Sequence, residues 1–162
     1  MEYQTLSLVQ QQLLDAAEEA LTKAYNPYSR FSVGAALLSR SQEIITGANV
    51  ENAAYGSCLC AERAALVRAN AMGFRRFEAI AIIGRAENFE AVKQVDMVTS
   101  PCGACRQMLF EACQIAEHDL KVIMATGDKS KVVVMPISEL LPHGFGPDQL
   151  GIDISEFRKE SL

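Results

Sequence analysis

The sequence predicts an α/β domain of three layers, a central mixed five-stranded sheet flanked by helices. Three observations carry this expectation. Segments with helical spacing of apolar residues alternate with short apolar runs bounded by turn-forming residues. One run, Phe77 to Ile83, is almost continuously apolar, the pattern of a strand covered on both faces. The length, 162 residues, suffices for one well-buried core and demands no second. Residues 1–162 are therefore expected to form one domain, with a C-terminal tail from about residue 148.

The first element is an amphipathic helix, because Leu6, Val9, Leu13, Ala17, Ala20, Leu21 and Ala24 recur every three or four residues; Asn26-Pro27 ends it. Phe31 to Leu38 and Glu43 to Thr46 form a strand, a turn at Ser39 to Gln42, and a returning strand. Cys60 to Met72 is Ala-rich and meets Gly73, as expected of a helix with a small-residue face and a glycine stop. The buried strand Phe77 to Ile83 follows. Arg85 to Met97 is polar, without a strong period, and is read as a loop with a helical turn. Ser100 as N-cap and Pro101 in the first turn start a helix running toward Glu117. Leu120 to Thr126 and Lys131 to Met135 are the last strands, parted by Gly127-Asp128, and a short helix lies near Ser138.

Composition narrows the function. Hydrophobic residues make up 49% and charged residues 22%, the balance of a folded globular chain. The net charge of -5 argues against a polynucleotide partner, whose phosphates call for clustered Lys and Arg, and favours a small uncharged ligand. Met1 to Ala24 carries Glu2, Asp15, Glu18 and Glu19 and no basic leader, so neither a signal peptide nor a membrane anchor is expected. A cytoplasmic location follows. There, the five cysteines are thiols or metal ligands and not disulfides.

Cys60-Ala61-Glu62, followed by Pro101-Cys102-Gly103-Ala104-Cys105, supplies three soft ligands for zinc and leaves a fourth position open for water. Cys102 and Cys105 stand about one helical turn apart on one face, and both cysteine groups open predicted helices, whose N-termini favour thiolates. Glu62, two residues from Cys60, does not share the sulfur's face; it suits the water better than the metal, although a solvated acid in a first turn has the same appearance. Three thiolates on Zn2+ leave one net negative charge and a weak Lewis acid. Arg63, three residues after Cys60, could draw charge from the sulfurs, or could be a plain surface arginine. Cys58 competes as first ligand, but only Cys60 stands in register with Glu62, and Cys113 is expected to be a buried, inert thiol.

These motifs, together with Asn49-Val50-Glu51-Asn52-Ala53-Ala54-Tyr55, Arg63, Arg106-Gln107, Tyr28-Ser29-Arg30-Phe31 and Leu140 to Pro147, closely resemble the small cytidine deaminases. The likeness is weakest from Arg85 to Thr99 and after Leu150. It implies zinc held by Cys60, Cys102 and Cys105, with Glu62 as proton carrier in the hydrolysis of cytidine and 2'-deoxycytidine to the uridines. It implies a nucleoside pocket using Phe31, Asn49, Glu51, Tyr55, Ala61 and Phe145, the last resembling an aromatic lent to a neighbouring subunit, and hence a homotetramer. The residues themselves permit part of this: Asn49 and Glu51, two apart on an extended segment, face one way and could share a hydroxyl, though an Asn-stabilised turn is the plainer alternative.

Two competing functions fit less of the chain. A deaminase for single-stranded nucleic acid or a cytosine-bearing antibiotic sits poorly with the net charge and with Glu51 respectively. A zinc-stabilised interaction module would need a fourth ligand, and neither His118 nor His143 lies at chelating spacing from the cysteines.

Overall fold

The computed structural model describes residues 1–88 and 97–160. Its sheet is five-stranded, in the order β2-β1-β3-β4-β5. The strands are β1 (Phe31–Ser39), β2 (Ile44–Ala48), β3 (Phe77–Ala86), β4 (Lys121–Ala125) and β5 (Val132–Pro136). Only β3 and β4 pair in parallel, and the other neighbours are antiparallel, so the sheet is mixed as expected.

Side-chain alternation sorts the central strands between two helical layers. Ala36 and Leu38 of β1, Ala81 and Ile83 of β3, and Ile123 of β4 point toward α1 (Leu8–Leu21), whose Leu13, Leu14, Ala17 and Leu21 cover them. Their neighbours Leu37, Ile80, Ile82 and Val122 face the other way, against α2 (Ala61–Ala71) and α3 (Gly103–Ala116). This two-sided burial explains why β1 and β3 read as unbroken apolar runs. Leu13 and Leu14 are wholly buried, and truncating either to Ala would cost about 2–5 kcal/mol. α2 lies directly on the edge strand β2: a β-carbon at Gly47 would come within 2.6 Å of the Ala61 carbonyl oxygen, so only glycine allows that approach.

Several expected boundaries shift. α1 starts at Leu8, not Leu6, because Ser7 caps it, while Tyr3–Thr5 forms a 3-10 turn; Val9, expected on the buried face, is 41% exposed, and Leu14 takes its place. β3 runs on through Arg85 and Ala86, which pair with Ser32 and Phe31. Strand pairing thus overrides the polar composition that suggested a loop. Of the expected helical turn in that region, residues 89–96 lie outside the described residues. The N-cap of α3 is Cys102 and not Ser100, so Pro101 precedes the helix. Gly73, with φ 93°, ends α2 as expected, and α4 (Ile137–Leu140) is the short helix near Ser138.

The tail is ordered by specific contacts. Two 3-10 turns, Pro147–Leu150 and Ser155–Arg158, lead to Glu160, whose carboxylate accepts the N–H groups of Arg75 at 3.1 Å and Arg76 at 2.9 Å.

Candidate active site

The starts of α2 and α3 meet in one place. Cys60 is the N-cap of α2 and Cys102 that of α3; both have extended backbone, and neither sulfur caps the backbone N–H groups of its own helix. Each sulfur is therefore turned off the helix end, toward Cys105 in the first turn of α3. Cys60 Sγ lies 3.9 Å from Cys102 Sγ, which lies 3.4 Å from Cys105 Sγ. Two metal–sulfur bonds of about 2.3 Å at a tetrahedral angle separate the sulfurs by about 3.8 Å, so the spacing suits a single tetrahedral cation. Among the described residues no histidine, carboxylate or further cysteine joins this cluster, and its donor set stops at three. All five cysteines are free thiols.

Electrostatics point to the same occupant. The Cys60 thiol is lowered to about 5 by a hydrogen bond from Cys105 and by Arg63, whereas Cys105 is pushed up by its bond to Cys60, its burial and the nearby Glu62. Cys60 ionises easily and Cys105 resists, because a second negative charge beside the first has nothing to balance it. A divalent cation supplies that balance. Arg63 is where a charge-withdrawing group should be: Nη2 donates to the Cys58 carbonyl at 3.0 Å and reaches Cys60 Sγ at 3.8 Å.

Glu62 is 4% exposed, which excludes the solvated first-turn acid. A helix N-terminus favours a charged carboxylate, yet burial, reinforced by the charge of Cys60, outweighs it and raises the Glu62 carboxyl above its ordinary value. It is an acid held ready to keep or release a proton. Cys58 stays out of the cluster, its Sγ accepting the Asn52 N–H at 3.3 Å. Cys113 is half-buried, accepts the Leu120 N–H at 3.3 Å and is pushed up to about 11 by burial.

The other expected residues form the surroundings. Asn49 bridges β1 with its side-chain amide: Oδ1 accepts from Val33 N at 2.8 Å and Nδ2 donates to the Phe31 carbonyl at 3.0 Å. Glu51 Oε2 accepts the N–H groups of Tyr28 at 2.9 Å and Ser29 at 3.1 Å, and its bonds to Ser29 and Tyr28 hold the carboxyl below its usual range. Both residues therefore build the Tyr28-to-Phe31 turn, whatever else they do. Tyr55 packs edge-on against Tyr28 with ring centres 5.6 Å apart. The Phe31 ring lies over Gly84, where a β-carbon would stand 2.6 Å from Cε1. Ala61 is wholly buried at the first position of α2. Phe145 joins none of these groupings; the residue is 56% exposed on the loop after α4.

Arg106 entered the sequence reading only as part of the family motif, with no role assigned to it. Its Nε donates to the carbonyl of Pro101, the residue before Cys102, at 2.9 Å. The local signal is its place four residues after the N-cap Cys102, close enough to curl back over the helix end.

Residues 8–119 match the family model described as the cytidine and deoxycytidylate deaminase zinc-binding region. A cytidine deaminase of Halalkalibacterium halodurans is 42% identical over 142 residues, spanning 86% of this chain and 96% of that one. A cytidine deaminase of Sporosarcina psychrophila is 36% identical over 140 residues, 86% of this chain and 93% of the other. A crystal structure of cytidine deaminase from Burkholderia pseudomallei superposes with a TM-score of 0.71 at 41% identity, covering 83% of this chain and 97% of that one.

Proposed function

Because the chain belongs to the cytidine and deoxycytidylate deaminase family, we propose that it hydrolyses cytidine and 2'-deoxycytidine to uridine and 2'-deoxyuridine with release of ammonia, a step of pyrimidine salvage. The observation that carries this is a three-sulfur donor set with a buried carboxyl beside it. We assign zinc to Cys60, Cys102 and Cys105; when bound, it supplies a water acidic enough to act as a nucleophile near neutral pH.

Glu62 moves the protons. It accepts the proton of the attacking water and gives it to N3 of the cytosine ring, which makes C4 electrophilic. The oxygen adds to C4; Glu62 then takes the second proton from the hydroxyl on C4 and gives it to the 4-amino nitrogen, the C4–N bond breaks, and ammonia departs as the C4 carbonyl forms. A carboxyl raised by burial suits both halves of this shuttle, since its proton affinity lies closer to that of the groups it serves. Arg63, by bonding the Cys60 sulfur, draws negative charge from the ligand set. Phe31, Ala61 and Tyr55 are assigned to the pyrimidine and the rim, Asn49 and Glu51 to the sugar hydroxyl, and Phe145 to a neighbouring subunit's site in a homotetramer.

A small nucleoside fits the net charge of -5 better than a polynucleotide does. Among the described residues no helix is long and apolar enough to cross a membrane. We assign the enzyme to the cytoplasm, whose reducing conditions suit five cysteines that form no disulfide.

The test is direct: count zinc per chain and follow the ultraviolet absorbance of cytidine with wild type and Glu62→Gln. Wild type should hold one zinc and turn over. The Gln variant should keep its zinc and be slower by about 10²–10⁴-fold. Zinc without any spectral change in wild type would make the chain a zinc-stabilised module.

A further inference from the structure

Beyond its two sulfurs, the first turn of α3 carries an arginine that holds two distant carbonyls at once. Arg106 Nε donates to Pro101 O at 2.9 Å, and Nη1 donates to Leu140 O, also at 2.9 Å. Neither carbonyl has an obvious alternative. Pro101 is buried and lies just outside the helix, where no helical N–H can reach its oxygen, and Leu140 is the last residue of α4, whose carbonyl is an unpaired helix end. The next residue, Gln107, donates Nε2 to Phe145 O at 2.6 Å. One turn on, the Phe110 ring lies against Gly144, where a β-carbon would approach Cδ2 to 2.8 Å. The outer face of α3 therefore grips the backbone of the segment from Leu140 to Phe145, while the Phe145 side chain is left presented outward, 56% exposed.

We propose that Arg106 is a positioning residue for the deamination, locking the Pro101–Cys102 turn to the loop that presents Phe145 so that ligand sulfur and aromatic ring keep a fixed relation. The proposal rests on the function given above. The chemistry requires arginine: a planar fork can aim two N–H groups at two carbonyls in different directions, and lysine, with the same charge, is a single point that cannot reproduce both bonds. Small displacements of a reacting constellation have large kinetic effects, so losing one tie matters without losing the fold.

Arg106→Lys, with Arg106→Gln as second variant, tests this in the full-length protein loaded with zinc or with cobalt(II). The expected result is one metal per chain, a melting temperature within about 4 °C of wild type, and kcat reduced about tenfold or more. The visible thiolate-to-cobalt absorption should also shift. Gln107→Ala, which frees only the Phe145 carbonyl, should raise KM and leave the cobalt spectrum unchanged. Wild-type kcat together with an unshifted cobalt spectrum in Arg106→Lys would overturn the proposal. So would loss of fold, or of metal in proportion to activity, in both Arg106 variants, which assigns the residue to general stability. The cobalt spectrum is read without substrate, so it judges Arg106 even if wild type proves inactive on cytidine.

Discussion

α1 begins the way a helix built for stability begins, and α2 and α3 do not. At α1, the Ser7 hydroxyl accepts the N–H of Gln10, and the Gln10 side chain returns the bond to the Ser7 N–H. At α2 and α3 the same slot holds Cys60 and Cys102, whose sulfurs cap no backbone N–H and turn instead toward the Cys105 sulfur. The contrast extends to charge: Glu62 occupies a first-turn position where acids normally gain from the helix end, and it is buried. Side chains that serve the backbone and side chains withheld from it can thus be told apart, and the withheld ones mark the site.

Exchanging the two kinds of start gives the largest effect. Cys60→Ser should abolish metal binding and turnover. The metal-free variant should be no less stable than metal-free wild type, because serine is a better N-cap, a slot worth about 1 kcal/mol; metal analysis and urea titration decide it. Smaller is the effect of Arg63→Gln, which removes the bond to the Cys60 sulfur and leaves all three ligands. Turnover should fall about tenfold with near-full zinc content, and unchanged turnover would reduce Arg63 to a tie on the Cys58 carbonyl.

Glu160 tests the opposite class. Its carboxyl is lowered below the free value of 4.5, with the N–H groups of Arg75 and Arg76 and the Arg76 charge outweighing the cost of burial. Between the two values the unfolded chain binds more protons. The contribution to stability is therefore complete above 4.5 and is lost as pH falls through the folded value. Glu160→Gln should cost about 1–2 kcal/mol near neutrality and less in acid, with kcat unchanged; a constant difference at all pH values would break the assignment. Smallest of all, Ser7→Ala should lower stability by about 1 kcal/mol and leave metal content and kinetics alone.

What could be read from the sequence follows the same division. The three-cysteine cluster was legible because a chelating motif has short, fixed spacings, and Cys60, Cys102 and Cys105 do come together with Glu62 buried beside them; the sheet was legible because burial on two faces leaves unbroken apolar runs such as Phe77 to Ile83. The α3 cap was misassigned to Ser100 because serine is the better cap by propensity, whereas the helix starts at Cys102, whose sulfur joins the three-cysteine cluster. Arg85 and Ala86 read as loop because their strand character comes from pairing with Ser32 and Phe31, some fifty residues earlier. Glu160, and the tie of Arg106 to Leu140, went unread for a related reason: the partners Leu140, Arg75 and Arg76 are far away in the chain, and no local pattern encodes a bond across such distances. Choosing Cys60 over Cys58 followed from register with Glu62, and Cys58 is bonded to Asn52.

The two hydrogen bonds that tie the Asn49 amide to β1 carry a consequence for how this enzyme can change. One amide completes the leading end of a central strand and also stands among the residues assigned to the sugar. A substitution that retunes sugar selectivity at this position also unpins the strand that carries Phe31. New substrate ranges are therefore more accessible through neighbours such as Tyr55, whose exposed ring can vary without unsettling the sheet.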